Sequence, residues 1–174
     1  MKEALEWIKD IGLAIIIAAV VLFFLKPIIV QQESMQPNFY EDDYLIISKQ
    51  AYTLFGDEEY GDVIIFKTIL PYDEGEEKFL IKRIIGVPGD TIEITNGYVF
   101  RNGEMIEEPY VEDYGVSGEM APIVVEEGKL FVMGDNRAVS QDSRSQTIGQ
   151  VDQDAVLGKV ILRIFPFDRI KAFS

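Results

Sequence analysis

The alternation of apolar and polar positions divides the chain into one long apolar segment and a series of short strands. Residues 11–25 carry no polar side chain, which is typical of a membrane-spanning helix. After residue 30, short runs rich in Ile, Val, Tyr and Phe are separated by Gly, Asn and Pro, without a strong 3.6-residue periodicity. This pattern predicts a mainly β domain, built as a coiled sheet or a barrel, that follows a single N-terminal transmembrane helix.

The apolar runs also predict where the strands lie along the chain. They cover residues 44–48, 61–67, 79–85, 91–95, 98–101, 130–133 and 156–165. Asn96-Gly97 separates two of these strands, and this dipeptide is a strong signal for a tight hairpin. The polar segments 52–61 and 107–122 are predicted to be loops.

The first apolar segment is predicted to be a retained anchor, because no small-x-small signal-peptide cleavage site follows it. Trp7 suits the membrane interface, and Lys26 can extend its ammonium group out of the bilayer. Lys2, Lys9 and the amino terminus precede the segment, and this bias in positive charge favours a cytoplasmic N-terminus. We therefore predict a single-pass protein of the cell membrane. Its parts are a cytoplasmic tail over residues 1–10, an anchor over 11–30 and an extracytoplasmic domain over 31–174.

Two adjacent cations lie in the middle of the strand at residues 79–85. Neighbouring side chains of a strand point to opposite faces, so Lys82 and Arg83 cannot both face outward. If Arg83 reaches water or a carboxylate, Lys82 shares the face of Leu80 and Ile84, and loss of hydration favours its neutral, basic form. The alternative is an edge strand in which the lysine stem packs while its ammonium reaches water. The strand taken alone favours this alternative.

The composition limits the chemistry that the chain can carry out. Its 174 residues include no Cys and no His, which excludes disulfides, thiolate nucleophiles, Ser-His-Asp catalysis and the usual zinc sites. A general base must then be Lys, Asp, Glu or Tyr. The net charge of −14 argues against nucleic-acid binding. We expect no metal and no cofactor.

Two further segments carry groups from which a site could be built. Ser34 precedes a turn at Pro37, and a serine there is by itself most often a turn residue. Because the chain lacks His, serine chemistry would need a lysine base such as Lys82. Residues 134–144 follow a strand directly and are dense in hydrogen-bonding groups, which suits a loop that supports a site. A solvated turn is the alternative interpretation of this segment.

Together these segments resemble the successive motifs of bacterial type I signal peptidases. The main motifs are Ser34-Met35-x-Pro37, Lys82-Arg83-Ile84-Ile85-Gly86-x-Pro88-Gly89-Asp90 and Gly134-Asp135-Asn136-Arg137-x-x-Ser140-x-Asp142-Ser143-Arg144. Gly61-Asp62-Val63 and Asp43-Tyr44 resemble lesser motifs of the same family. The resemblance extends over nearly the whole chain, in the family's order and after one anchor, as in the shorter Gram-positive enzymes.

The resemblance implies a serine endopeptidase that removes N-terminal signal peptides from exported preproteins, with small-x-small specificity. Ser34 would attack the scissile carbonyl, and its backbone N–H would donate to the oxyanion. Neutral Lys82 would take the serine proton, pass it to the leaving amine and then activate water against the acyl-enzyme. Near neutral pH this requires a lysine pKa about 3 below its ordinary value. Ser140 would orient the lysine, and Asp142 would pair with Arg144.

The family resemblance further implies that the substrate binds as an added strand between residues 28–33 and 79–81. The side chains expected to contact it are Ile29, Val30, Gln31, Gln32, Met35, Phe79, Leu80 and Ile81. The predicted partners are signal peptides, the lipid bilayer near Met35 and Pro37, and the secretion translocon.

Two positions depart from the family's pattern. Gln32 stands where many relatives carry Ser or Gly, and the serine hydroxyl there is a second oxyanion donor. Either the Gln32 amide replaces it, or another group does, or the oxyanion hole is weaker. Asn38 stands where the family usually has Thr, and we expect this change to affect the local turn more than the chemistry.

Two other functions are weighed against the peptidase. One is a self-cleaving repressor of the Ser/Lys class, which the apolar segment and the negative charge disfavour. The other is a catalytically inactive, membrane-anchored β domain that binds partners. In that case Lys82 would titrate like a lysine in solvent.

Overall fold

The computed structural model describes residues 2–54, 56–69, 77–112, 116 and 118–173. The helices are α1 (Lys2–Phe24) and α2 (Ala51–Leu54), and 3₁₀ helices cover Glu33–Met35, Gln153–Ala155 and Phe167–Arg169. The strands are β1 (Leu25–Ile29), β2 (Tyr44–Ser48), β3 (Val63–Ile69), β4 (Glu77–Gly86), β5 (Thr91–Thr95), β6 (Tyr98–Arg101), β7 (Glu104–Met105), β8 (Met120–Val124), β9 (Lys129–Met133), β10 (Val151–Asp152), β11 (Val156–Phe165) and β12 (Lys171–Ala172). The predicted mainly β domain behind one apolar helix is therefore confirmed.

The larger sheet contains eight of the described strands, and its edges do not close into a barrel. Its order is β1-β2-β11-β3-β4-β9-β10, with β12 paired to β11, and neighbouring strands are antiparallel. Strand β4 pairs with β3 along residues 77–83, whereas its pairing with β9 begins only at Arg83. Residues 77–82 thus have a ladder partner on one side only, among the residues that the structure describes. This free stretch of edge lies directly before and at Lys82.

The smaller sheet has the order β7-β6-β5-β8 in the described part of the chain. The predicted hairpin at Asn96-Gly97 joins β5 to β6, and both residues have the positive φ angles that such a turn requires. Strand β8 begins within the segment 107–122, which was predicted to be a loop from its acidic, Gly and Pro residues, and the strand includes Pro122. A proline is compatible with β8, since this strand forms an edge of the sheet. Residues 113–115 and 117 of that segment lie outside the described residues.

One hydrophobic cluster fixes the chain that follows β1. Met35 and Phe39 are completely buried against Leu45, Ile47 and Val160. Burial of a side chain of this size contributes about 1.5–3 kcal/mol. The turn that carries Ser34 is therefore held to the sheet by the apolar side chains that follow the serine.

Helix α1 is long and apolar enough to cross a membrane, with a mean hydropathy of 2.3 over Glu6–Phe24. Its described side chains are not buried against the domain, which fits a membrane anchor. The helix ends at Phe24, whereas the anchor was predicted to extend to residue 30. Residues 25–29 form β1 instead, because Pro27 interrupts a helical ladder and Ile28 and Ile29 are β-branched. Similarly, α2 occupies the start of the segment 52–61 that was predicted to be a loop.

Candidate active site

Ser34 lies in the 3₁₀ helix Glu33–Met35, and only 7% of its surface is exposed. The N–H groups of Asn38 and Phe39 both donate to the carbonyl oxygen of Met35, at 3.0 and 2.9 Å. The backbone N–H of Asn136 donates to the carbonyl oxygen of Ser34 at 3.0 Å. The serine therefore sits in a closed turn that is attached to the loop after β9.

Lys82 reaches this serine from β4. Its Nζ lies 2.6 Å from Ser34 Oγ and donates to the carbonyl oxygen of Ile81 at 2.9 Å. The lysine is 1% exposed, while Arg83 pairs with Asp135. This is the arrangement that strand alternation predicts when the arginine has a carboxylate partner.

Burial lowers the pKa of Lys82 from 10.5 to about 8. The carboxylates of Asp142 and Asp135 oppose this effect, and the guanidinium of Arg144 reinforces it. Desolvation is the largest cause, as expected for an ammonium group of a side chain that is 1% exposed. A serine hydroxyl within hydrogen-bond distance of such an amine has the geometry of an activated nucleophile and its base.

Asp142 and Arg144 form the ion pair that was expected from the motif. Arg144 donates to both carboxylate oxygens of Asp142, at 2.8 Å each, and the N–H of Gly134 donates to the same carboxylate at 3.0 Å. Burial raises the pKa of Asp142, but these donors outweigh it and hold the pKa below its usual value. Arg144 also donates to the carbonyl oxygen of Arg137 at 3.1 Å. The pair therefore ties the two ends of the 134–144 loop together.

Ser140 does not make the expected hydrogen bond to Lys82. Its Oγ is buried and has no hydrogen-bond partner among the described residues, although it lies close enough to Asp142 to lower the pKa of that carboxyl. The hydroxyl packs against Gly134, where an added Cβ would come within 2.2 Å of it and within 2.4 Å of the Ser34 carbonyl oxygen. Glycine is thus required where the loop passes behind the serine.

An open cleft of about 420 Å³ lies in front of Ser34 and Lys82. Its other lining residues are Gln31, Gln32, Glu33, Glu41, Leu80, Val139 and Gln141.

Three of the predicted substrate contacts, Gln31, Gln32 and Leu80, line this cleft. The other predicted contacts divide between the surface and the core. Ile29 and Phe79 are about half exposed, whereas Val30, Met35 and Ile81 are packed in the core.

Several cleft residues were missed by the sequence prediction. Val139 and Gln141 lie within the 134–144 motif on either side of Ser140, so their position in the motif was a usable signal. Glu41 had no such signal, because it reaches the cleft only through the fold of the turn. In the described part of the chain, no group of three or more His, Cys, Asp and Glu side chains is arranged to hold a metal ion.

Comparison with known proteins shows to which family the sequence of this chain is similar. The sequence model of a family described as "Signal peptidase, peptidase S26" matches residues 4–165. Signal peptidase I P of Bacillus subtilis subsp. natto is 39% identical over 183 residues, which cover 98% of this chain and 94% of that protein. Signal peptidase IB of Staphylococcus aureus strain COL is 32% identical, covering 98% of this chain and 94% of its own.

Among solved structures, a signal peptidase I from Enterococcus faecalis V583 is similar, with 28% sequence identity and a TM-score of 0.48. The match covers 59% of this chain and 96% of that one. The family match spans most of the chain, and two curated relatives exceed 30% identity over nearly its full length. The chain therefore belongs to the signal peptidase family, peptidase S26.

Proposed function

We propose that the chain is a membrane-bound serine endopeptidase that removes signal peptides from exported preproteins with Ser34 as nucleophile and Lys82 as base. The main observation in support of this Ser/Lys dyad is the distance of 2.6 Å between Lys82 Nζ and Ser34 Oγ. The burial and lowered pKa of this lysine argue against an inactive domain, in which it would titrate like a lysine in solvent. Membership of the signal peptidase family supports the removal of signal peptides as the reaction of the chain.

In the proposed mechanism, the neutral amine of Lys82 accepts the proton of Ser34 as Oγ attacks the scissile carbonyl. The resulting ammonium gives this proton to the leaving amine, and an acyl-enzyme remains on the serine. The neutral amine of Lys82 then takes a proton from water as the water attacks the ester, and the resulting ammonium returns this proton to Ser34 Oγ as the acid product leaves. The bond from Nζ to the Ile81 carbonyl oxygen holds the amine so that its lone pair can point toward the serine.

Two donors are proposed for the oxyanion of the tetrahedral intermediate. The first is the backbone N–H of Ser34, and the second is the side-chain amide of Gln32. Gln32 lies two residues before the serine, lines the cleft and makes no side-chain capping bond to the 3₁₀ helix. Its amide is therefore available for a carbonyl oxygen that develops negative charge.

The substrate is proposed to bind as an extended strand between the segment before Ser34 and the free edge of β4. Gln32 is itself in an extended conformation, with φ −140° and ψ 151°. Strand β1 is an edge strand, and residues 79–81 have β3 as their ladder partner on the other side. An incoming chain could pair with either edge, which is the usual mode of β-strand addition. The apolar side chains of Leu80 and Val139 line the cleft, and they would favour small side chains of the substrate next to the scissile bond.

The remaining proposals concern the membrane. We place the N-terminus in the cytoplasm, the domain on the extracytoplasmic face, and the cleft close to the bilayer and the secretion translocon. Met35 is 0% exposed and cannot be the lipid contact that was expected. A better candidate is the aromatic ridge of Tyr44, Phe165 and Phe167, whose exposed rings pack edge to face. Tyr44 pairs with Ile29, which lies two positions before the cleft residue Gln31.

The test is cleavage of a preprotein with an Ala-x-Ala site by the detergent-solubilised full chain, with the mature product identified by N-terminal sequencing. The parent should release the mature protein at that site, and Ser34→Ala should release none. A folded parent that leaves the preprotein intact in the presence of lipid would overturn the proposed function. Cleavage by both proteins would place the nucleophile elsewhere.

A further inference from the structure

The side chain of Asn38 joins the serine-bearing turn to two other parts of the domain. Its Nδ2 donates to the carbonyl oxygen of Tyr110 at 2.6 Å and to Asp135 Oδ2 at 2.9 Å. These two bonds use both hydrogens of the amide group. The backbone carbonyl oxygen of Asn38 accepts a bond from the guanidinium of Arg163 at 2.6 Å. The residue is thus fixed from three directions, four positions after the nucleophile.

The bond to Asp135 closes a ring of contacts that contains the dyad. Asp135 is buried and receives two bonds from Arg83, at 2.8 Å from Nε and 2.7 Å from the terminal nitrogen. Arg83 directly follows Lys82, whose Nζ returns to Ser34 Oγ at 2.6 Å. The ring therefore runs from the serine through the turn to Asn38, across Asp135 and Arg83, and back through the lysine. Its covalent and hydrogen-bonded members connect the nucleophile to the base.

The bond to Tyr110 attaches the same turn to a second support, which we call the 108–111 segment. Arg137 forms a two-bond ion pair with Glu108, and both side chains are buried. The guanidinium of Arg83 lies 4.1 Å from the ring centroid of Tyr110, which is a favourable cation–π contact. The 108–111 segment is therefore held by Arg137 of the 134–144 loop and by Arg83, which follows Lys82, and Asn38 bonds to its backbone.

We propose that Asn38 is a positioning residue that sets the distance between Ser34 Oγ and Lys82 Nζ. The inference rests on the proposed dyad, and it differs from the expectation that Asn38 affects the local turn more than the chemistry. An amide has two N–H groups and can bond to Tyr110 and Asp135 at once, whereas a threonine hydroxyl has one O–H. Displacement of a reacting group by about 1 Å can lower the rate about 10²-fold. Loss of the amide should therefore lower kcat more than it raises KM.

A residue that only stabilised the fold would show a different result, and the chain offers a matched control for it. Asn102 donates to the carboxylate of Asp90 at 2.7 Å, and Arg101 donates to the same carboxylate at 2.7 Å. This trio, at the end of the smaller sheet where β5 begins and β6 ends, repeats the chemistry of Asn38, Asp135 and Arg83. It does not belong to the ring that contains the dyad.

The experiment compares Asn38→Ala, Asn38→Thr and Asn102→Ala in the detergent-solubilised full chain. It measures kcat and KM for a preprotein with an Ala-x-Ala site, together with the thermal unfolding midpoint. Asn38→Ala should lower kcat by about 10- to 100-fold with KM changed by less than about twofold. Asn38→Thr, with one donor, should lie between this variant and the parent. Asn102→Ala should lower the midpoint while its kcat, measured well below that temperature, stays at the parent's value.

Two results would overturn the inference while leaving the proposed function intact. One is a parental kcat in both Asn38 variants. The other is an equal loss of kcat in Asn38→Ala and Asn102→Ala that follows the loss of thermal stability. If Asn38→Ala does not fold, Asn38→Thr carries the test, because it retains a donor. A parent protein that cleaves nothing would instead overturn the proposed function itself.

Discussion

Replacement of Lys82 by Met should remove a pH-dependent contribution to stability. Burial lowers the pKa of the lysine from 10.5 to about 8 in the folded protein. Between these two values the unfolded chain binds a proton that the folded chain has released. The free energy of unfolding therefore rises with pH in this window, and the penalty for the buried ammonium is complete below about pH 8. Methionine carries no proton, so the variant lacks this dependence.

The magnitude follows from the difference in pKa. A fall from 10.5 to about 8 corresponds to about 3 kcal/mol in total. Between about pH 6.5 and about pH 9.5 the linkage relation yields about 2 kcal/mol of this amount. Titrating groups that do not interact with Lys82 contribute equally to both proteins and cancel in the difference. The parent should therefore gain about 2 kcal/mol relative to Lys82→Met over this range.

Urea unfolding of the detergent-solubilised full chain, followed by circular dichroism, measures both free energies. Lys129→Met is the matched control. Lys129 is only partly buried and its pKa is raised, first by the hydrogen bond to Asp152, so its contribution is constant below the unfolded pKa of 10.5. Its difference from the parent should not change over the same pH range. A difference in the free energy of unfolding between the parent and Lys82→Met that stays constant with pH would refute the lowered pKa of the buried lysine.

Three further outcomes are expected. Gly134→Ala should lower cleavage, because its Cβ would lie 2.2 Å from Ser140 Oγ, and parental activity would show that the loop can give way. Gln32→Ala should lower kcat about 100-fold or more with little change in KM if its amide holds the oxyanion, whereas a change in KM alone would indicate substrate binding. Arg144→Met should destabilise the protein by about 3–5 kcal/mol in urea unfolding at neutral pH, because it leaves Asp142 charged, buried and unpaired. In the parent, Arg144 holds the pKa of Asp142 low. The loss should therefore diminish in acid, because protonation of Asp142 removes the unpaired charge from the variant. An unchanged free energy of unfolding in Arg144→Met would contradict the role of the pair.

Local sequence patterns were sufficient to predict the features that depend on residues close together in the sequence. Alternation along β4 placed Lys82 and Arg83 on opposite faces, and the Asn-Gly dipeptide located the hairpin between β5 and β6. The pair of Asp142 and Arg144 spans only two positions, so its spacing could be recognised. The end of α1 was placed too late because hydrophobicity alone does not distinguish β1 from a continuing helix.

The contacts that were missed join residues far apart in sequence. Asn38 and Asp135 are separated by 97 positions, and Asn38 and Tyr110 by 72. No local pattern reports such pairs, because they depend on how the two sheets pack. The same limit applies to Met35, which was expected at the substrate or the lipid but is buried in the core.

The central claim is that Lys82 is the base for Ser34. The most direct test is the rate of cleavage of a preprotein with an Ala-x-Ala site by the parent, Lys82→Met and Lys129→Met, near pH 8, about where the buried lysine is half neutral. We predict cleavage by the parent and by Lys129→Met, and none above background by a folded Lys82→Met. Equal rates for the parent and Lys82→Met would contradict the account, because the base would then lie elsewhere.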